Sequence, residues 1–351
     1  MTFGDFVLMI PFLQALRHKH PLAEISIICG SRGYALAKDY PWLDRVLDLS
    51  DLKSPSRLWN FATTAWGLFR SKTIYALHPI FRSAVIAYLL GGRDRVGFDQ
   101  ATTYLYSSRR RFEEVPSVSS FQQKLIRNIL LNDFRSMRTA RGHASARFFQ
   151  LIPGGDSYPL RACMRTRYAE ARRSDSHLII LAPYSGWLPR NWPLENWVEL
   201  ARELRSSYPA SSVAISVEPK TKEEVTLAFQ ALEGIQILCP GSDFDALFDA
   251  FAQASLVVAN DSFPLHLATV LDVPSVGLFG PNLPEWFGGC STKNANLHKR
   301  VECSPCVQRR GEERCLQGLV TCAGLSSLPI EEVTASCVKI LGENQRANKS
   351  S

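Results

Sequence analysis

An acid, a hydroxyl and an imidazole crowd the segment Asn260-Asp261-Ser262-Phe263-Pro264-Leu265-His266-Leu267-Ala268. The apolar run Leu256 to Ala259 before it has the length and composition of a buried strand, and Pro264 to Leu271 reads as a helix. A strand that feeds straight into a helix leaves backbone N–H groups at the positive end of the helix dipole, where an anion is stabilised. In an open parallel sheet that point also lies at the carboxyl ends of the strands, where ligands bind. The chemistry indicated is the grip of a phosphorylated ligand. Asp261 reads either as a contact to a ligand hydroxyl or as a helix cap, and Ser262 is the stronger cap candidate. His266 reads either as a phosphate partner or as an ordinary helix histidine with its bonds satisfied. A second apolar strand, Ser275 to Phe279, closes on Gly280-Pro281.

Three further clusters have types and spacing for chemistry. Pro183-Tyr184-Ser185-Gly186 follows an apolar strand, and Arg190-Asn191-Trp192-Pro193 comes just after it. There Ser185 has a proton for a phosphate oxygen, Gly186 lets backbone approach closely, and Arg190 can clamp the charge. It is not a Walker loop, which needs Gly-Lys-Ser/Thr; the plain alternative is a surface loop with an exposed arginine, and Trp192-Pro193 reads as packing at a helix start. At the amino end, Gly4-Asp5 precedes the apolar stretch Phe6 to Leu16, a helix despite Pro11. Asp5 is either that helix's cap or a general base. Lastly, Cys303-x2-Cys306-x8-Cys315-x6-Cys322 has the ligand number of a tetrahedral Zn or Fe site, without the spacing of a common zinc ribbon. Reduced structural thiols, or a disulfide formed on oxidation, are the other reading. Arg109-Arg110-Arg111 reads as a solvated loop or as a face toward an anionic acceptor or headgroups.

These residues need a scaffold that alternates strands and helices, and the chain supplies one twice. In the first half Glu24 to Cys29, Arg45 to Leu49 and Thr73 to Leu77 read as strands, with helices at Leu58 to Phe69 and Ser83 to Leu90. The second half is cleaner. Strands at His177 to Ala182, Ser212 to Val217 and Ile235 to Leu238 alternate with helices at Lys222 to Leu232 and Phe244 to Ala254. Leu194, Trp197, Val198, Ala201 and Leu204 share one helical face. Such alternation predicts right-handed βαβ units and parallel sheets covered on both faces. The expected architecture is α/β: two doubly wound domains, 1-160 and 161-342, with a cleft between them. A linker falls near Ile152 to Arg172, a last helix spans Ile330 to Leu341, and 343-351 is a polar tail.

The bulk properties fit a globular enzyme or binding protein. The 351 residues are 46% hydrophobic, with formal net charge +7 and pI near 9.0. That balance suits a nucleotide, an anionic membrane face or nucleic acid, and equally simple solubility. No apolar run reaches the roughly 18–20 residues that span a bilayer. No secretory signal is evident, so the expected location is cytoplasmic. Nine cysteines without a secretory context argue against a disulfide framework.

Taken in order, these motifs resemble glycosyltransferase family 9, the ADP-heptose:lipopolysaccharide heptosyltransferases, over nearly the whole chain. Gly4-Asp5 with Pro11, Leu16-Arg17, Pro21 and Ala23 is similar to the family's opening motif. His78-Pro79 with Arg82-Ser83, followed by Gly91 to Gly97, resembles its mid-N-domain segment. Arg190-Asn191-Trp192-Pro193 resembles a Lys-x-Trp-Pro element with Arg for Lys. Asp261-Ser262-x-Pro264-x-His266-Leu267-Ala268 and Phe279-Gly280-Pro281 resemble the most specific signature, and Cys303-Ser304-Pro305-Cys306 a late motif of the second-heptose enzymes.

The resemblance implies a GT-B fold, with the acceptor on the N-domain and the nucleotide sugar on the C-domain. It also implies inverting transfer to the inner core of lipopolysaccharide. Asp5 would be the base. Ser185, Gly186, Arg190, Asp261, Ser262 and His266 would hold the diphosphate, Glu223 or Glu224 the ribose, and Arg82 the acceptor. No cofactor is required, although a structural Zn or Fe at the cysteines is one reading. The implied partners are ADP-heptose, the lipopolysaccharide core and, peripherally, the inner membrane, with no nucleic acid. Other readings are a transferase using another sugar or a protein acceptor, a non-catalytic nucleotide-sugar binder, and a metal- or nucleic-acid-binding module. Three departures from the family stand out. It begins with an apolar strand before Gly-Asp, so either the native chain is longer or the domain lacks a strand. Phe263 stands where Gly is usual, and is expected to crowd the diphosphate or forbid a backbone with positive φ. Arg190 stands for Lys.

Overall fold

The computed structural model describes residues 3–38, 40, 42–48, 73–77, 81–98, 108–110, 177–291, 293–306, 315 and 317–349. The chain divides into two compact units, Met1–Cys163 and Met164–Ser351.

The second unit carries one six-stranded parallel sheet. Its strands are β6 (Leu178–Ala182), β7 (Ser212–Ser216), β8 (Ile235–Leu238), β9 (Ala254–Asn260), β10 (Ser275–Phe279) and β11 (Asn294–His298). Side by side they run β8-β7-β6-β9-β10-β11. The chain therefore builds outward from β6 to β8, returns to lay β9 beside β6, and builds outward again. This is the order of a doubly wound dinucleotide-binding sheet, and its direction reverses between β6 and β9.

The central strands read LIILA, ASLVVAN and SVGLF because both their faces are covered. On one face Ile179, Leu181, Val213, Ile215, Leu256, Val258, Val276 and Leu278 join a single core. That core includes Trp197, Leu200, Ala201 and Leu204 of α4 (Leu194–Ser207), Val225 and Phe229 of α5 (Lys222–Phe229), and Val333, Cys337 and Ile340 of α8 (Ile330–Lys349). The other face meets α6 (Phe244–Ala252) and α7 (Phe263–Val270). The final helix runs on to Lys349, past Leu341 where its apolar stripe ends and into the polar tail. β11 was not expected: Asn294, Asn296 and His298 make it polar, and it lies half-buried at the sheet edge.

In the first unit, α1 (Phe3–Lys19) runs through Pro11. The lost backbone bond is tolerated because Phe6, Val7, Met9, Ile10, Phe12, Leu13 and Ala15 are all buried around it. Strands β1 (Ser26–Cys29) and β2 (Arg45–Asp48) pair in parallel, with α2 (Ser31–Ala37) packed beside them. Strands β3 (Thr73–Ala76), β4 (Asp94–Phe98) and β5 (Ser108–Arg110) form a second parallel sheet, and α3 (Phe81–Leu89) packs on β3 and β4. Among the described residues no strand joins the two sheets, although Ile28, Leu47, Ile74, Ile86 and Leu90 share one apolar cluster. Part of the arginine run read as a loop is β5, paired through Arg109 and Arg110 with Gly97 and Phe98. β4 was also missed, since Asp94 and Arg95 hide its pattern. The expected helix Leu58 to Phe69 and the linker Ile152 to Arg172 lie outside the described residues.

Candidate functional site

The strand order reverses where β6 and β9 end, and two of the sequence-predicted clusters meet there. Pro183-Tyr184-Ser185-Gly186 leaves β6, and Asn260-Asp261-Ser262 ends β9 and enters α7. Asn260, fully buried, ties the two together: its Oδ1 accepts from the Trp192 backbone N–H at 3.2 Å and its Nδ2 donates to Pro183 O at 2.6 Å. Trp192 is fixed further by an edge contact to Trp197 at 5.5 Å and by its indole N–H, which donates to Leu328 O at 3.3 Å. It is a structural anchor.

Between these anchors a short 3-10 turn, Leu188–Arg190, delivers Arg190 to the end of β9. Its Nη1 lies 3.2 Å from Asp261 O and 3.6 Å from Asp261 Oδ2, and its guanidinium sits 6.0 Å from the Trp187 ring centroid. Its Nε is buried with no hydrogen-bond partner. Asp261 is 2% exposed, and around its carboxylate stand Arg190, Asn282, which donates to Oδ2, and His266 Nε2, 4.0 Å from Oδ1. A buried carboxylate needs such partners, so here Asp261 is first of all the hub of the site.

Ser262 occupies the N-cap position of α7, but its hydroxyl does not cap. It donates back to Asn260 O at 3.1 Å, which corrects the expectation that it was the stronger cap candidate. The Ser185 hydroxyl donates to Trp187 O at 2.8 Å and accepts from Trp187 N–H at 3.3 Å, so it holds the loop rather than pointing free. The Ser185 N–H donates to Asn191 Oδ1 at 2.8 Å. A Cβ added at Gly186 would meet nothing within 4 Å, so no packing within the protein demands glycine there. Phe263 opens α7 half-buried. Asp272 is the one described non-glycine residue with positive φ, so the backbone at Phe263 adopts no conformation that asks for glycine.

Glu223 and Glu224 both lie exposed in the first turn of α5. Glu224 takes a hydrogen bond from Tyr184, which follows the end of β6. Burial, then that bond and the charges of Glu224 and Glu195, push the Tyr184 hydroxyl far above its ordinary value, so it stays a donor. Tyr184, Asn191, Asn260 and Asn282 were missed as site residues. Asparagines and a tyrosine next to strand ends look like ordinary turn residues until their partners are known. Asp5 lies in the first turn of α1 and Arg82 in α3, and the side chains of both lie outside the described residues.

Two of the four late cysteines, with Ser304, buttress the site. Cys306 N–H donates to Pro281 O at 2.7 Å, Ser304 Oγ to Gly280 O at 3.1 Å, and Cys322 N–H to Pro189 O at 3.1 Å. Gly280 has no room for a side chain: a Cβ there would lie 2.7 Å from Leu325 Cβ and 3.0 Å from Cys322 Cβ. The segment thus clamps both the loop after β10 and the turn that carries Arg190. Cys303, Cys306, Cys315 and Cys322 are free thiols, and among the described residues no group of three or more His, Cys, Asp or Glu is gathered to hold a metal ion. Burial first, then the neighbouring thiols, push Cys306 up to about 12. A thiol so held is a poor nucleophile, since that role needs the thiolate. Iodoacetamide at pH 8 should therefore alkylate Cys306 at least about 100-fold more slowly in the folded chain than in the urea-unfolded chain. Equal rates, read by peptide mass spectrometry, would show the thiol to be exposed and ordinary.

With this geometry in place, comparison with known proteins is decisive for the family. A model of glycosyltransferase family 9 (heptosyltransferase) matches residues 70–317. The chain belongs to glycosyltransferase family 9. Lipopolysaccharide heptosyltransferase 1 of Pseudomonas aeruginosa is 28% identical over 178 residues, 48% of this chain and 48% of that protein. The chain thus matches about half the length of that curated relative. The solved structure of E. coli ADP-heptose lps heptosyltransferase II superposes with TM-score 0.69 at 16% identity, covering 98% of this chain and 97% of that one. The E. coli heptosyltransferase WaaC with ADP gives TM-score 0.64 at 15% identity, with 97% of each chain covered. At such identities the likeness establishes the fold, which is α/β of the GT-B class. In this family-9 chain Asp261, Ser262 and His266 stand where the sheet order reverses, beside Arg190.

Proposed function

We propose that this family-9 chain is an inverting glycosyltransferase that moves a heptose from ADP-heptose to the inner core of lipopolysaccharide, at the cytoplasmic face of the inner membrane. The observation that carries the proposal is the placement of Arg190, with an unused Nε donor, beside Asp261 and the start of α7, where the strand order reverses. A nucleoside diphosphate suits that point, because the helix dipole and a guanidinium act on one anion. The acceptor hydroxyl oxygen attacks the anomeric carbon from the face opposite the leaving group. Its proton passes to the Asp5 carboxylate, the bond from the anomeric carbon to the diphosphate oxygen breaks, and ADP departs with that electron pair. Arg190 and the α7 amides stabilise the charge as it develops, which is where electrostatic catalysis is largest. Glu224, held by Tyr184, is the better of the two glutamates for the ribose hydroxyls. The net charge of +7 suits peripheral contact with anionic headgroups, and no helix among the described residues is long and apolar enough to cross a membrane.

The test is ADP release by the protein, expressed from the longest in-frame start, given ADP-heptose and a heptose-deficient lipopolysaccharide core. Acceptor-dependent release is the expected outcome. ADP binding without release would replace the donor, the acceptor or the catalytic role, and would shift the reading to another sugar, a protein acceptor or a binding protein. Failure to bind ADP at all would overturn the nucleotide site itself.

A further inference from the structure

Asn282 follows Gly280-Pro281 in the loop that leaves β10, and is 4% exposed. A carboxylate only accepts hydrogen bonds, so the amide atom facing Asp261 Oδ2 is the donor Nδ2. That leaves Asn282 Oδ1 buried with no partner. An unmet buried acceptor is unfavourable, and the charge-assisted bond on the other side of the amide is what holds the side chain in this pose.

The consequence falls on Arg190. A guanidinium facing a carboxylate ordinarily closes into a two-pronged pair with N···O contacts of about 2.7–2.9 Å. Here Nη1 stops 3.6 Å from Oδ2 and bonds instead to the Asp261 backbone oxygen at 3.2 Å. Oδ2 is occupied by Asn282, and Oδ1 faces His266. We propose that Asn282 is a positioning residue of the diphosphate site: its amide engages Asp261 Oδ2, prevents that carboxylate from closing on Arg190, and leaves the guanidinium available to the leaving diphosphate. This inference rests on the nucleotide-diphosphate reading above and adds to it a competition for one carboxylate oxygen.

Calorimetric titration of the full chain with ADP and, separately, with adenosine tests it. Asn282→Ala should bind ADP roughly tenfold more weakly, the cost of one charge-assisted contact, while adenosine binds as in wild type. Asn282→Asp, nearly the same shape, replaces the donor by an acceptor that repels Asp261 toward Arg190, and should lose at least as much ADP affinity with adenosine again unchanged. If the alanine variant does not fold, the aspartate variant decides. In an Asp261→Asn background, where no carboxylate remains to trap the arginine, Asn282→Ala should cost nothing further. An equal loss for ADP and adenosine would mean that Asn282 is merely structural, and unchanged ADP affinity in both variants would remove the competition; either result overturns the inference and leaves the site reading intact. A wild-type chain that binds adenosine but not ADP would overturn the diphosphate reading and this inference with it.

Discussion

Asp5→Asn is expected to lower kcat for glycosyl transfer by about 10³-fold, the scale of a lost general base, while ADP affinity stays within about twofold of wild type. The substitution keeps the size and shape of the side chain and removes only its basicity. An acceptor hydroxyl is a weak nucleophile, and its proton must leave as the bond to the anomeric carbon forms. An amide cannot take it. Asp5 lies in the first turn of α1, on a helix anchored by a nearly continuous buried run from Phe6 to Leu16. The helix itself is firmly held, so the loss should appear in turnover and not in binding. Single-turnover rates with saturating donor separate the two. Turnover within tenfold of wild type would place the base elsewhere in the chain.

Arg190→Ala should weaken ADP binding by roughly 10- to 100-fold, the range of a lost charge-assisted contact to phosphate. It should leave adenosine binding unchanged. The same change strips Asp261 of its nearest cation while that carboxylate stays 2% exposed, so a fall in melting temperature should accompany the loss of affinity. Arg190→Lys, which restores the residue usual in the family motif, should recover charge but not the stack on Trp187, and should fall between the two. ADP affinity unchanged in the alanine variant, measured by calorimetry on protein shown to be folded, would take Arg190 out of the site. The two substitutions probe different steps, because one removes the acceptor of a proton and the other a stabiliser of the departing charge.

The α/β class and most elements of the second unit were legible in the residues. Buried parallel strands must be continuous apolar runs, and LIILA, LVVA and SVGLF have no other plausible place to go. The amphipathic face from Leu194 to Leu204 was legible for a similar reason, since a helix against a sheet has to present one stripe. The strands with charged or polar sequences were not: Asp94 and Arg95 in β4, the arginines of β5, and Asn294, Asn296 and His298 in β11 break the apolar pattern that marks a strand. The residue types of the motifs, glycine, hydroxyl and arginine at strand ends and helix starts, suit the anion site proposed here. Which groups meet was a different matter. That Asn260 ties β6 to β9, that the Ser262 hydroxyl turns back instead of capping, that Glu224 and not Glu223 meets Tyr184, and that Asn282 holds Asp261 were all decided by tertiary structure. Each is a hydrogen bond between side chain and partner, set by which strand ends the sheet order brings side by side. Sequence determines that a polar group must be satisfied, and the fold alone decides by whom.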